Sequence, residues 1–235
     1  MVINTEAIKN RDNTLLVIDG VDGCGKLTQA TILADRLNAL GITSRRISFP
    51  CYESESSTLV KMYLRGELGE DPNKIDPYAV STFYAADRYL SYVMDWHRDY
   101  EAGTTIVADR YVSSNTIHQA AKISDKEEKA KFVSWLDSFE HGVYKLPRPT
   151  IQFFLDMPAE YAVALTVNRA NKFSGEAKKD IHESSKEFLV ESYENAMEIA
   201  KNSGWKIIHC VQDEKVRSVE DISNEIFEEV IKLWL

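Results

Sequence analysis

Three cysteines in 235 residues, Cys24, Cys51 and Cys210, are odd in number and lack the spacing of a zinc site or a disulfide framework. Reduced thiols in a cytosolic chain fit that count. Long hydrophobic runs are missing too. The longest apolar stretches, such as TIQFFLDMP, fall far short of the ~20 residues that span a bilayer. Positive charge is in deficit: 28 Lys and Arg stand against 37 Asp and Glu, a formal net charge of −9. That balance argues against nucleic acid as a partner, because such binding leans on phosphate neutralisation. The N-terminal MVINTEAIKNRDN is polar where a secretory signal needs an apolar core. A cytoplasmic protein with no membrane contact, and with a frayed leader of about a dozen residues, is expected.

What is present is an alternation of strand-like and helix-like segments within one domain spanning residues 1–235. TLLVID (14–19) reads as a strand buried on both faces. Leu33, Leu37 and Leu40 recur at helical spacing after Lys26, with Gly41 as a stop. RRISF (45–49), TTIVAD (104–109), TIQFFLD (150–156) and WKIIHC (205–210) supply further strands. Asp76-Pro77 starts a long helix to about Tyr100, with Tyr84, Arg88 and Tyr92 on one face. Ser124 with Glu127 reads as a capping box before another helix. Helices are also expected from about Pro158, around 184–202 and after Ser218. The pattern implies a parallel sheet covered by helices on both faces, with ligands outside the carboxyl ends of its strands.

Residues 18–29 read IDGVDGCGKLTQ. From Gly20 to Lys26 the spacing is G-x-x-x-x-G-K, a P-loop that follows a buried strand and opens a helix. Gly20, Gly23 and Gly25 let the backbone approach an anion. The N–H groups of residues 23–28 face phosphates with the helix dipole behind them, and Lys26 adds a point charge. The next position should be Ser or Thr to ligate Mg²⁺. It is Leu27, and the hydroxyl comes one residue late, at Thr28. NKID at 73–76 matches the guanine motif of regulatory GTPases, but it follows no strand and its Asp76 reads as a helix cap. Residues 169–183, RANKFSGEAKKDIHE, are polar and basic, and read either as a solvated helical hairpin or as a lid closing over phosphates.

With IDGVDGCGKLTQ, SFPCYES, STFYAADR, VADRYVSSNTIHQA, LPRPTIQFFLDMP and SVEDISNEI in this order, the chain resembles the thymidylate kinases, P-loop nucleoside monophosphate kinases. The resemblance implies a P-loop NTP hydrolase-like α/β fold with a five-stranded parallel sheet, a helical lid, and a homodimer. It implies transfer of a phosphoryl group from ATP to dTMP with Mg²⁺, giving dTDP for dTTP synthesis. Lys26, Arg110, Asp109 and Asp22 match catalytic positions, Asp109 and Asp22 near the metal. Gly20, Val21, Asp22, Gly23, Cys24, Gly25, Lys26, Leu27 and Thr28 match the ATP loop, joined by Arg169, Lys172, Lys178 and Lys179 from the lid. Asp22, Phe49, Pro50, Tyr52, Tyr84, Arg88, Arg110, Ser114, Asn115, His118 and Glu183 match the acceptor side. There Tyr84 stacks on the base, Arg88 donates to a base carbonyl, and His118 lies near the sugar.

Two departures stand out. Leu27 cannot ligate metal, and Cys51 stands where many members carry an arginine. Phosphorylation of another pyrimidine monophosphate (dUMP, UMP or CMP), or nucleotide binding without turnover, are the alternative readings.

Overall fold

A computed structural model describes residues 13–166 and 181–234. Its main sheet has five parallel strands: β1 (Leu15–Asp19), β2 (Ser44–Ser48), β3 (Thr105–Asp109), β4 (Ile151–Asp156) and β5 (Lys206–His209). Their order is β2-β3-β1-β4-β5. Every residue of β1, β3 and β4 is buried, as expected of apolar strands covered on both faces. The period of two splits β1 between two cores. Leu16 and Ile18 join Leu33, Leu37, Phe153, Ile222 and Val230 on one side. Leu15 and Val17 join Trp96, Ile106, Phe132 and Leu136 on the other.

The first core is closed by α1 (Lys26–Ala39). Leu33 and Leu37 are each worth ~1.5–3 kcal/mol by burial. Gly41 ends that turn at φ 78°, a conformation that suits glycine. The short α2 (Thr58–Leu64) follows the loop after β2. Next, α3 (Pro77–Ser91) starts as the sequence predicts: Asp76 Oδ1 accepts from the Ala79 N–H at 2.8 Å, and Pro77 occupies the first position. Asp76 is therefore a cap, which removes NKID as a base-binding motif. The rod continues through a π-helical turn (Tyr92–Trp96) into α4 (His97–Glu101), matching the expected end near Tyr100.

One boundary differs. The helix expected from Ser124 is α6 (Lys126–Asp137), preceded in the chain by α5 (Val112–His118). Its cap is Asp125, whose Oδ1 accepts from the Glu128 N–H at 2.9 Å. Asp125-x-x-Glu128 offers the same capping geometry one residue later, with a carboxylate in place of a hydroxyl as acceptor. A second π-helical turn, Ser138–Val143, extends α6. The chain ends with α7 (Ala159–Thr166), α8 (Ile181–Ser184), α9 (Lys186–Asn202), a two-stranded hairpin and α10 (Val219–Lys232). Among the described residues no helix is long and apolar enough to cross a membrane.

The α5 helix was not legible in VSSNTIH, which is rich in β-branched and polar residues. All seven of its residues are buried, so tertiary packing holds it. Asn195 Nδ2 on α9 donates to the carbonyls of Thr116 and Ile117, at 2.9 and 2.8 Å, satisfying groups near the helix end.

Candidate active site

The strand order reverses at β1, whose neighbours β3 and β4 carry the chain off in opposite directions. A crevice at the carboxyl ends of strands is built by that topology. There the P-loop, the Phe49-Pro50 loop after β2 and the Asp109-Arg110 end of β3 meet around a cavity of about 390 Å³.

The loop begins with a steric constraint. Gly20 has φ 154°, and a Cβ there would sit 2.9 Å from the Leu155 carbonyl oxygen and 2.7 Å from Cys24 Sγ. Gly23 and Gly25 turn the chain at φ 88° and 93°, and α1 starts at Lys26. Asp22, Gly23, Gly25, Lys26, Leu27 and Thr28 line the cavity, whereas Val21 and Cys24 pack into the core behind it. Burial pushes the Cys24 thiol pKa up despite Lys26 and Arg110 nearby, so Cys24 is a packing residue rather than a nucleophile. The Lys26 ammonium is buried and donates to the carbonyls of Gly20 (3.0 Å) and Val21 (2.7 Å). Leu27 is partly exposed beside it and brings no oxygen to the site.

Arg110 stands at the mouth of β3 in a left-handed conformation, φ 68°. Such a backbone costs a non-glycine residue ~1–3 kcal/mol and persists only where the surroundings hold it. They do so here. Its N–H donates to the Ile18 carbonyl at 3.1 Å, and its guanidinium to Asp22 Oδ1 and to Ser114 Oγ at 3.2 Å. Asp19 Oδ1 lies 3.8 Å away. Burial works against the charged form, but Asp22, Asp19 and Asp109 outweigh it and hold the pKa above the usual arginine value.

His118 Nε2 lies 3.3 Å from Arg110 Nη1. A guanidinium only donates, so Nε2 accepts and the neutral ring carries its proton on Nδ1. Burial, followed by the charge of Arg110, lowers the His118 pKa well below the ordinary value. Asp19, at the end of β1, escaped sequence reading because it looked like the close of an apolar run. It is fully buried and accepts from Ser113 Oγ (2.7 Å), Ser114 Oγ (2.8 Å) and the Gly20 N–H (2.9 Å), tying α5 to the loop.

Asp109 Oδ2 accepts from Ser48 Oγ at 3.0 Å, while its buried Oδ1 has no hydrogen-bond partner among the described residues. An orphaned carboxylate oxygen of this kind suits a cation or its water shell. Asp22 lines the same cavity and carries a carboxylate, the hard-oxygen donor type that Mg²⁺ prefers. Among the described residues no group of three or more His, Cys, Asp or Glu could hold a metal by itself. A Mg²⁺ ion bound there would need further oxygen ligands from outside the protein.

Phe49, Pro50, Tyr52, Tyr84, Arg88 and Asn115 also line the cavity. Asp87 supports this wall: its Oδ2 accepts from the Cys51 N–H at 2.9 Å and its Oδ1 from Ser56 Oγ. Burial raises the Cys51 pKa to about 11, so position 51 adds no charge to the site near neutrality. Asn115 Nδ2 donates to the Ser81 carbonyl at 3.2 Å.

His182, on α8, also lines the cavity and was missed because its partners lie far away in sequence. Its Nε2 is 2.7 Å from Tyr63 Oη, which accepts from Lys122 Nζ at 3.1 Å. Desolvation drops the His182 pKa to about 3. Glu183 falls in the same short helix. Arg169, Lys172, Lys178 and Lys179 lie outside the described residues.

The family model described as thymidylate kinase matches residues 18–226. The chain is 30% identical to the thymidylate kinase of Mycobacterium tuberculosis H37Rv over 167 residues, 70% of this chain and 75% of that one. It is 26% identical to the thymidylate kinase of Dictyostelium discoideum over 213 residues, 90% and 82% of the two chains. The solved structure of the Candida albicans thymidylate kinase superposes with a TM-score of 0.68, covering 94% of this chain and 92% of that one. At 19% identity that likeness speaks for the fold, a P-loop NTP hydrolase-like sheet flanked by helices. The family match runs from the strand before the glycine turn into the last helix, and this chain belongs to the thymidylate kinase family.

Proposed function

We propose that the protein transfers the γ-phosphoryl group of ATP to dTMP, giving dTDP and ADP, with Mg²⁺ as cofactor. The observation that carries this reading is one cavity lined together by the glycine turn, Lys26 and Arg110. Phosphoryl transfer asks chiefly for positioning and charge neutralisation, and these are the groups that supply both.

In this scheme the N–H groups of residues 23–28 cradle the ATP phosphates, and the Lys26 ammonium turns from the loop carbonyls to the β/γ bridge. Arg110 grips the acceptor phosphate with its planar fork. Asp22 and Asp19 keep that guanidinium charged and hold it beside the loop. Asp109 and Asp22 would hold Mg²⁺, which when bound neutralises charge on the β- and γ-oxygens. Because Leu27 gives no hydroxyl, this pair carries the protein's share of the metal contact, with Thr28 left to hydrogen-bond a phosphate. Tyr84 stacks on the base, and Arg88 donates to a base carbonyl. His118 sits beside the sugar, and Ser114 and Asn115 complete the acceptor wall. Arg169, Lys172, Lys178, Lys179 and Glu183 form the lid contacts of the proposal. A homodimer in the cytoplasm completes it.

A coupled ADP-release assay across dTMP, dUMP, UMP, CMP and dCMP tests this directly. ADP release dependent on dTMP, at a higher kcat/KM than with the other acceptors, is the expected result. Preference for another monophosphate would reassign the substrate. No acceptor-dependent ADP would leave a nucleotide-binding protein.

A further inference from the structure

Arg88 does not stand alone at the base end of the cavity. Glu140, on the π-helical turn Ser138–Val143, forms an ion pair with it. Its carboxylate accepts from Arg88 Nε at 2.6 Å and from Arg88 Nη2 in a two-pronged pair. The Tyr111 carbonyl lies 3.4 Å from Nη1. Glu140 is fully buried and Arg88 nearly so. Fifty-two positions separate them, so no local pattern announces the pair.

Burying two ions is costly, and an apolar pair of similar volume often packs as well. A pair of this kind is therefore weak evidence for stability and needs another reason. The fork provides one. A guanidinium has five N–H groups in one plane. Glu140 takes the Nε side and fixes the plane, and the Tyr111 carbonyl steadies Nη1. The Nη hydrogens at the end of the fork are what remain for the cavity that Arg88 lines. Pairing also cancels the charge at this wall, so a base is selected there by hydrogen-bond direction. A carbonyl oxygen accepts from the fork. An exocyclic amine meets it donor to donor and leaves buried N–H groups unpaired, the kind of mismatch that discriminates strongly.

We propose that Glu140 is the positioning residue that aims Arg88, holding its fork in the plane in which it meets a base carbonyl. This rests on the assignment of Arg88 to the base in the reaction proposed above.

The test is steady-state kinetics of the full chain with dTMP, dCMP and ATP varied separately, for wild type, Glu140→Gln and Glu140→Asp. Wild-type turnover with dTMP checks the reaction itself, and its absence would remove that reading whatever Glu140 does. Given turnover, Glu140→Gln should raise KM for dTMP about tenfold or more and lower the dTMP over dCMP preference by a similar factor. KM for ATP should stay within about twofold and kcat within about threefold, because the P-loop and Arg110 are untouched. Should Glu140→Gln fail to fold, Glu140→Asp decides. It keeps the charge but shortens the arm, and should still raise KM for dTMP about fivefold with KM for ATP unchanged. Wild-type KM and selectivity in a folded variant would overturn the proposal. So would equal rises in both KM values, since a purely structural ion pair would loosen the whole site.

Discussion

Lys122 is packed against the rings of Tyr63 and Phe188, with its ammonium nitrogen 5.1 and 6.0 Å from their centres. It donates to Tyr63 Oη and the Ile75 carbonyl. Desolvation lowers its pKa from 10.5 to about 7, against the opposing pull of Asp76 and Asp71. The unfolded chain therefore holds a proton on this lysine between pH 7 and 10.5 that the folded chain has lost. Stability rises with pH wherever the unfolded state binds more protons. Lys122 thus makes the fold weaker below pH 7 and releases that penalty as pH climbs toward 10.5.

One such proton is worth about 1.4 kcal/mol per pH unit. From pH 7.5 to 9.5, less the fraction still protonated at 7.5, the gain is about 2.5 kcal/mol, and partial solvent screening trims it to about 2 kcal/mol. The assay is urea unfolding of wild type and Lys122→Met at both pH values. Methionine fills the same apolar slot without a charge. Other titrating groups are common to both proteins, so the difference between the two pH changes isolates Lys122. Wild type should gain about 2 kcal/mol more than the variant over this interval. Parallel pH dependences would refute the reasoning, because they would mean that Lys122 keeps its proton when folded.

Lys26→Ala should lower turnover by ~10² or more while leaving the melting temperature near wild type, whereas Leu27→Ser should change turnover by less than about tenfold. Equal effects of the two would contradict the account of the loop. Gly20→Ala should lose about 2 kcal/mol, or roughly 4–8 °C in Tm, because its Cβ meets backbone at Leu155 that cannot swing aside. A thermal melt matching wild type would show that the loop relaxes. Lys178→Ala with Lys179→Ala should cut turnover ~10² with an unchanged melt, and wild-type rates would take these lysines out of the mechanism.

Much of this molecule was written locally. The buried strand at Leu15–Asp19, the glycine spacing after it and the Asp76-Pro77 helix start each reside in a few adjacent residues, and each stands where the sequence placed it. The cavity-lining set of Asp22, Lys26, Tyr84, Arg88, Arg110 and His118 was likewise legible, through the order of its motifs. What escaped depends on distant partners. Asp19 becomes a hub only because α5 delivers Ser113 and Ser114 to it. His182 needs Tyr63, 119 positions away, and Arg88 needs Glu140. The α5 helix itself goes against its own propensity and forms because every side of it is covered.

The central claim is that the glycine turn and Arg110 hold two phosphates end to end across one cavity. A crystal structure with adenosine and thymidine joined through their 5′ ends by a chain of phosphates tests it most directly. Its phosphates should lie on the N–H groups of residues 23–28, with Lys26 Nζ within ~3 Å of one and the Arg110 fork on the thymidine-side phosphate. A ligand bound elsewhere, with Lys26 still on the carbonyls of Gly20 and Val21 and no phosphate on the Arg110 fork, would contradict it.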